Sequence, residues 1–183
     1  MVKVLVPLYT AFEELEALSI VDLLRRAGVI VTTASITGQK LVTAGQGVNI
    51  EADTLFSDVQ NEPFDCIAVP GGMGHPALGT CEPLLNLLRT YVKDQSKTVA
   101  AICAAPFYLG EAGVLDGKKA TCYPALLPKL KCAERKEDPL VIDGNVITSR
   151  GPGTSFMFAL ALVEKLCGKA KRDEIVKQTV FSE

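Results

Sequence analysis

A cysteine between a strand-like run and a predicted helix start is the strongest candidate for chemistry. The stretch from residue 97 to 106 reads KTVAAICAAP, and its β-branched residues favour extended backbone before Cys103. Pro106 suits the first turn of a helix. Ala101 and Ala105 flank the cysteine, and a sharp strand-to-helix turn that presents a nucleophile needs small residues at those positions. Cys103 is therefore either a nucleophile, favoured as a thiolate by nearby helix N–H groups, or a buried core thiol.

An acidic residue falls on the apolar face of the first predicted helix. Glutamate is rarely buried without a partner, and we expect the sulfur of Cys103 to be the partner of Glu16. A neutral Glu16 would donate a hydrogen bond to the thiolate, which predicts a cysteine pKa well below the usual value of about 8.5. The alternative is that Glu16 reaches solvent from a frayed first turn. Helical spacing places Glu16 on one face with Ile20, Leu23, Leu24 and Ala27.

Two glycines follow the predicted strand that ends at Val69. Gly71 and Gly72 would let backbone N–H groups approach a developing oxyanion, although most such pairs are only turns. The single histidine, His75, lies on the same loop. It could serve as the base of a Cys-His hydrolase, but we favour an exposed loop residue.

Two further side chains are candidates for the substrate site. Tyr123 could offer a hydroxyl group, but it cannot act as a base near neutral pH unless its pKa is strongly perturbed. Arg150 opens a Gly/Pro-rich turn before a long apolar run. It could bind an acidic group, and a structural ion pair is an equal alternative.

Composition limits the class of protein. The length of 183 residues predicts a single domain over residues 1–183, and 48% hydrophobic residues suffice for a core. A net charge of −2 with scattered cations gives no indication of nucleic acid or an anionic membrane. The chain enters a strand-like run directly after Met1, which predicts no signal peptide. Six cysteines without a CxxC spacing predict reduced thiols in the cytoplasm and no metal site.

Strand-like runs alternate with amphipathic helical runs along the chain. This order predicts an α/β fold with a mostly parallel sheet and helices on both faces, in which sites form at the carboxyl ends of strands. Predicted strands cover 2–8, 29–35, 66–69, 98–102, 120–122, 140–142 and 146–149, with a small hairpin at 41–43 and 48–50. Predicted helices cover 13–27, 82–94, 106–112, 126–130, 156–167 and 172–179.

Five motifs together resemble the ThiJ/PfpI superfamily, in particular the branch that contains the parkinsonism-associated deglycase. The likeness runs along nearly the whole chain, and the set of motifs is far more specific than any one of them. The motifs are FEELEA at 12–17, VDLLRRAG at 21–28, VPGG at 69–72, AAICA at 100–104 and TSRGPGTSF at 148–156.

The resemblance implies a flavodoxin-like three-layer α/β/α sandwich, related to class I glutamine amidotransferases, with a cysteine nucleophile elbow. It implies a homodimer with no cofactor and no metal. The nucleophilic, oxidisable cysteine maps to Cys103 and its protonated glutamate partner to Glu16. The oxyanion amides map to Gly72 and Ala104, with Gly71 shaping the loop. A dimer-proximal arginine maps to Arg150.

Two departures from the family pattern bear on activity. Many relatives carry a histidine where this sequence has Tyr123, which puts a mechanism based on that histidine in doubt. Some relatives carry an arginine where this sequence has Gln46, which weakens an anion site there.

The resemblance implies a cytoplasmic stress protein that acts on a small aldehyde or a glycated substrate, as a glyoxalase without metal or glutathione or as a deglycase. Cys103 would attack the carbonyl carbon, with Glu16 moving the proton. The alternative from another class is a redox sensor or chaperone whose Cys103 oxidises to a sulfinate. An amidase or peptidase would need His75 at the sulfur, and no residue argues for a role in thiazole biosynthesis.

Overall fold

The computed structural model describes residues 1–182. Short apolar and β-branched runs form its strands, and the fully buried runs lie in the middle of the sheet. Within the described residues, the strands are β1 (Lys3–Leu8), β2 (Ile30–Ser35), β3 (Leu41–Thr43), β4 (Asn49–Glu51), β5 (Thr54–Leu55), β6 (Cys66–Val69), β7 (Thr98–Ile102), β8 (Lys119–Ala120), β9 (Glu134–Arg135), β10 (Leu140–Asp143) and β11 (Val146–Ser149).

Helices connect most of these strands. Over the same residues, the α-helices are α1 (Glu14–Arg26), α2 (Phe56–Val59), α3 (Pro76–Thr80), α4 (Glu82–Lys93), α5 (Ala105–Glu111), α6 (Ser155–Cys167) and α7 (Lys169–Gln178). Two 3₁₀ turns cover Leu127–Lys129 and Pro152–Thr154. No helix in this part of the chain combines the length and the apolar character that crossing a bilayer requires.

Seven strands form the central sheet, in the order β10-β11-β7-β6-β1-β2-β5. All neighbours in it are parallel except β10 and β11, which form an antiparallel hairpin at one edge. The chain places β2 on one side of β1 and β6 on the other, so the direction of winding reverses between β1 and β6. Ligand sites of open α/β sheets form at such a reversal.

The helices flank the sheet and complete a three-layer, flavodoxin-like α/β/α arrangement, which confirms the predicted fold. On one side α6 packs against both α1 and α7, while α3 contacts α4 and α5 in a separate group. The strands that carry the candidate site, β6 and β7, are buried along their whole length. The loops that follow them therefore start from a rigid base.

Several short elements differ from the prediction. The helix expected at 126–130 is a single 3₁₀ turn, and the strand expected at 120–122 is the two-residue β8. The last helix begins at Lys169 rather than Arg172. The elements β5, α2 and α3 were not predicted, because two to five residues are too few to show a periodic pattern.

Candidate active site

Three loops meet at the carboxyl ends of adjacent parallel strands. Helix α1 follows β1 and carries Glu16 in its first turn, the glycine pair follows β6, and Cys103 follows β7. The order β7-β6-β1 in the sheet places these three loops side by side. The predicted convergence of the loops is therefore present.

Cys103 sits in a backbone conformation that side-chain-bearing residues rarely adopt. Its φ is 63°, a left-handed value that is uncommon for any residue except glycine. Two backbone hydrogen bonds hold the turn: the amide of Cys103 donates to the carbonyl of Ser149 over 3.0 Å, and its carbonyl accepts from the amide of Tyr123 over 2.7 Å. The residue is 8% exposed. This strained strand-to-helix turn has the geometry predicted for an elbow, and the role of Cys103 as a nucleophile stays a prediction.

Glu16 is fully buried beside this turn. The amide of Gly71 donates to its Oε2 over 2.7 Å, whereas its buried Oε1 has no hydrogen-bond partner among the described residues. The carboxyl group lies beside Cys103, because a Cβ at Gly71 would meet both Oε2 of Glu16 and the Cβ of Cys103. The carboxylate of Glu13 caps α1 by accepting from the amide of Glu16 over 2.8 Å. The alternative in which Glu16 reaches solvent is therefore wrong, and Glu16 and Cys103 form a buried pair.

Burial sets the protonation of the glutamate. It raises the pKa of Glu16 from its ordinary value of 4.5 to about 7, and the negative charge of Glu13 acts in the same direction. The hydrogen bonds from Gly71 and Cys103 oppose this rise in pKa. Glu16 therefore holds its proton in weakly acidic solution and exchanges it near neutrality, which suits a group that passes a proton in both directions.

The pKa of the cysteine departs from the prediction. Burial raises the pKa of the Cys103 thiol, and the ionised carboxylate of Glu16 raises it further. Hydrogen bonds from the amides of Ala104 and Gly72 lower it. The predicted low cysteine pKa is thus wrong, because burial raises the pKa of the thiol whether or not Glu16 carries its proton. Protonation of Glu16 removes the repelling charge and supplies a carboxyl O–H donor, so we expect it to lower the thiol pKa relative to the ionised state.

The glycine pair allows these contacts for steric reasons. A Cβ at Gly71 would lie 2.6 Å from the Cβ of Cys103 and 2.9 Å from Oε2 of Glu16. Gly72 has a φ of 122°, and a Cβ there would lie 2.4 Å from the amide nitrogen of Glu13. Any side chain at either position would push the loop away from the sulfur, so the pair is more than a turn.

An open cavity of about 420 Å³ gives access to Cys103. His75 and Tyr123 both line it. His75 is half-buried, so the favoured expectation of an exposed loop residue is wrong. The ring of His75 packs against Tyr108, with 5.4 Å between the ring centroids. Burial lowers the pKa of His75, so this histidine is neutral at pH 7. A larger cavity of about 740 Å³ between β10 and α6 is lined by neither cysteine nor histidine.

Arg150 does not line the cavity above Cys103. Its Nη1 donates to the carbonyl of Glu137 over 2.9 Å, and its charge lowers the pKa of the buried Cys122 thiol, which burial raises. Arg150 is thus held by a backbone carbonyl, and its binding of an acidic substrate group stays a prediction.

Two residues of the site were absent from the prediction. Tyr9 is fully buried, and its hydroxyl donates to the carbonyl of Pro70 over 2.8 Å, which anchors the glycine loop. Burial and the charges of Glu16 and Cys103 raise the pKa of Tyr9. Glu13 caps α1 and also lines the cavity. Glutamate is not among the preferred N-cap residues, so the sequence carries no clear sign of this cap.

The donor set at the site consists of one thiol, two carboxyl groups and backbone N–H groups. Across residues 1–182, no group of three His, Cys, Asp or Glu side chains is arranged to hold a metal ion. All six cysteines are free thiols. The arrangement offers one sulfur nucleophile, one carboxyl group that exchanges a proton near pH 7, and two backbone N–H donors.

Comparison with known proteins identifies relatives over most of the chain. The sequence profile of the DJ-1/PfpI family matches residues 2–165. Protein DJ-1 homolog B of Arabidopsis thaliana is 43% identical over 175 residues, which cover 94% of this chain and 40% of the plant protein. Glutathione-independent glyoxalase DJR-1.2 of Caenorhabditis elegans is 37% identical over 167 residues, which cover 90% of this chain and 88% of the nematode protein.

A solved structure shows the same fold. Oxidized DJ-1 of Toxoplasma gondii superimposes with a TM-score of 0.95 at 40% sequence identity, over 100% of both chains. The present chain spans less than half the length of its two Arabidopsis relatives, at 40% and 45%. It has nearly the full length of the Toxoplasma chain.

Proposed function

Because the chain belongs to the DJ-1/PfpI family, we propose that it is a cysteine-dependent stress protein that acts on reactive carbonyl compounds. It would work as a glyoxalase without metal or glutathione, or as a deglycase of early glycation adducts. The observation that carries this proposal is the buried pair of Glu16 and Cys103, joined through Gly71 at the floor of an open cavity.

In the first step, Sγ of Cys103 attacks the aldehyde carbon of a 2-oxoaldehyde. A carbon–sulfur bond forms, the carbonyl electron pair moves to oxygen, and the thiol proton passes through the Glu16 carboxyl to that oxygen. The product is a hemithioacetal. The N–H groups of Gly72 and Ala104, which lower the pKa of the Cys103 thiol, would stabilise negative charge as the bond forms.

The overall reaction needs no outside oxidant. The aldehyde carbon becomes a carboxyl carbon, the neighbouring ketone becomes an alcohol, and one water molecule is consumed, so the oxidation and the reduction cancel within one substrate. On a glycated amine, release of the amine with a hydroxy acid is balanced in the same way. We propose no cofactor, because sulfur, one carboxyl group and backbone N–H donors suffice to form the hemithioacetal and because the overall reaction needs no external oxidant.

The relatives support this assignment. The nematode relative is named a glutathione-independent glyoxalase, and its name is the basis for proposing a small carbonyl substrate here. A homodimer and a cytoplasmic location remain proposals that rest on the family resemblance and on the cysteine content of the sequence.

Turnover of methylglyoxal tests the proposal. We expect the wild type to consume methylglyoxal and form lactate. We expect Cys103→Ser to lose at least about 100-fold in kcat/KM, since a hydroxyl group is a far weaker nucleophile than a thiol near neutral pH. Cys167→Ser makes the same exchange at the end of α6, away from the cavity, and should retain the wild-type rate. Equal rates for wild type and Cys103→Ser would refute the enzymatic proposal.

A second function, a redox sensor or chaperone without turnover, is favoured by one observation. Tyr123 lines the cavity where many relatives carry a histidine, which removes a base from the reaction. The Toxoplasma structure is described as oxidized, which supports oxidation chemistry in a relative. Mild peroxide followed by mass spectrometry should give sulfinate at Cys103 ahead of the other five cysteines. Selective sulfinate without methylglyoxal turnover would favour the sensor, whereas even oxidation of all six would exclude it.

A further inference from the structure

The cavity above Cys103 lacks the positive charge that a site for anionic substrates needs. Among the residues of 1–182 that line it, Glu13 is the one acidic side chain, and neither lysine nor arginine is present. Gln46 and Tyr123 are neutral, and burial keeps His75 neutral. The remaining wall is glycine, proline and apolar side chains.

Two hydrogen bonds hold Glu13 at the cavity wall. Its Oε2 accepts from the amide of Glu16 over 2.8 Å, and its own amide donates to the carbonyl of Gly71 over 2.8 Å. Its charge also acts on the buried pair, because it contributes to the raised pKa of Glu16.

No cation offsets this charge at the cavity. Within the described residues, none of the lysine or arginine side chains lines it, and Arg150 donates its Nη1 to the carbonyl of Glu137 instead. A cavity with walls of low dielectric and one sign of charge repels ligands of the same sign, and this repulsion weakens as salt is added.

We propose that Glu13 is a specificity-determining residue that makes Cys103 selective for uncharged electrophiles. This inference rests on the proposed function and narrows it: the substrates are neutral 2-oxoaldehydes such as methylglyoxal, and aldehydes that carry a carboxylate, such as glyoxylate, are disfavoured. Gln46 contributes by leaving the cavity mouth without a cation.

A pair of alkylating reagents tests this selectivity without requiring turnover. Iodoacetamide is neutral and iodoacetate is anionic, and both attack the same sulfur, so the thiolate fraction cancels from the ratio of their second-order rate constants. The ratio at Cys103 is measured by peptide mass spectrometry at low ionic strength and compared with the ratio for a small free thiol. We expect the wild-type ratio to exceed the free-thiol ratio by about tenfold.

Two variants and a matched control decide the role of Glu13. Glu13→Gln keeps an oxygen that can cap α1 and should lower the ratio by about fivefold; Gln46→Arg adds a cation at the mouth and should lower it as well. Glu62→Gln makes the same neutralisation before β6, at the opposite end of the sheet, and should leave the ratio unchanged. Addition of about 0.5 M salt should shrink the wild-type selectivity.

The results separate this inference from the proposed function. A wild-type ratio equal to that of the free thiol, or a ratio unchanged in both Glu13→Gln and Gln46→Arg, would overturn the role of Glu13 even if methylglyoxal is consumed. If the alkylation ratios are as expected but the protein does not consume methylglyoxal, the glyoxalase proposal is refuted, whereas the selectivity of Cys103 for uncharged reagents is established.

Discussion

The amide of Gly71 donates a hydrogen bond to Oε2 of Glu16 over 2.7 Å. This contact joins the first turn of α1 to the loop after β6 and orients the carboxyl group toward the sulfur of Cys103. The absence of a side chain at Gly71 is as important as its amide, because the space that a Cβ would occupy is filled by Cys103 and Glu16.

Adding one methyl group at this glycine should separate the pair. In Gly71→Ala, the new Cβ would lie 2.6 Å from the Cβ of Cys103 and 2.9 Å from Oε2 of Glu16, so the loop must move. We expect a loss of about 1–3 kcal/mol in the free energy of unfolding and a large fall in the alkylation rate of Cys103. Gly153→Ala is the matched control, since a Cβ there meets nothing within 4 Å. Wild-type reactivity in Gly71→Ala would show that the close approach is unimportant.

Burial of Glu16 should make stability depend on pH. The pKa of Glu16 is about 7 in the folded protein and 4.5 ordinarily, so the unfolded chain releases this proton first as the pH rises. The contribution to stability is complete below pH 4.5 and is lost between about pH 4.5 and 7. The loss amounts to about 3 kcal/mol, since one pH unit of pKa difference is worth about 1.4 kcal/mol.

Glu16→Gln isolates this contribution, because glutamine cannot lose a proton in this range. Urea unfolding at a series of pH values should show that the wild type declines relative to Glu16→Gln between pH 4.5 and 7. Parallel stability curves for the two proteins would mean that Glu16 titrates normally and is not held in a buried pair.

The hydroxyl of Tyr9 supports the site from below the glycine loop. Tyr9→Phe leaves the buried carbonyl of Pro70 without its donor and should cost about 1–3 kcal/mol of stability. Tyr91→Phe is a comparable control, because the Tyr91 hydroxyl accepts from the amide of Phe64 away from the cavity. Both variants should lose stability, but only Tyr9→Phe should change the alkylation rate of Cys103. Equal effects on that rate would assign Tyr9 to the core alone.

The fold could be predicted because its long elements carry strong patterns. The apolar strands β6 and β7 and the amphipathic helices α1 and α4 appear at nearly the predicted residues. Glu16 could be found for the same reason: a carboxyl group on an apolar helix face requires a partner.

Other features depend on tertiary contacts that no local pattern contains. The role of Tyr9 depends on a carbonyl 61 positions away, and an aromatic residue at the end of a strand gives no sign of it. The pKa of the Cys103 thiol depends on burial and on whether Glu16 carries a proton. The spacing of residues in the sequence therefore could not give the direction of the pKa shift. Arg150 belongs to one of the five family motifs, yet its side chain donates a hydrogen bond to the carbonyl of Glu137 and does not line the cavity.

The central claim is that the side chain of residue 16, when it carries a hydrogen-bond donor and no charge, stabilises the thiolate of Cys103. The most direct test is the thiol pKa of Cys103, followed by thiolate absorbance, in Glu16→Gln and Glu16→Leu. Both substitutions remove the carboxylate charge, but only glutamine keeps a donor. We predict that the thiol in Glu16→Gln titrates at least about one pH unit below the thiol in Glu16→Leu. Identical thiol pKa values in the two variants would contradict the claim.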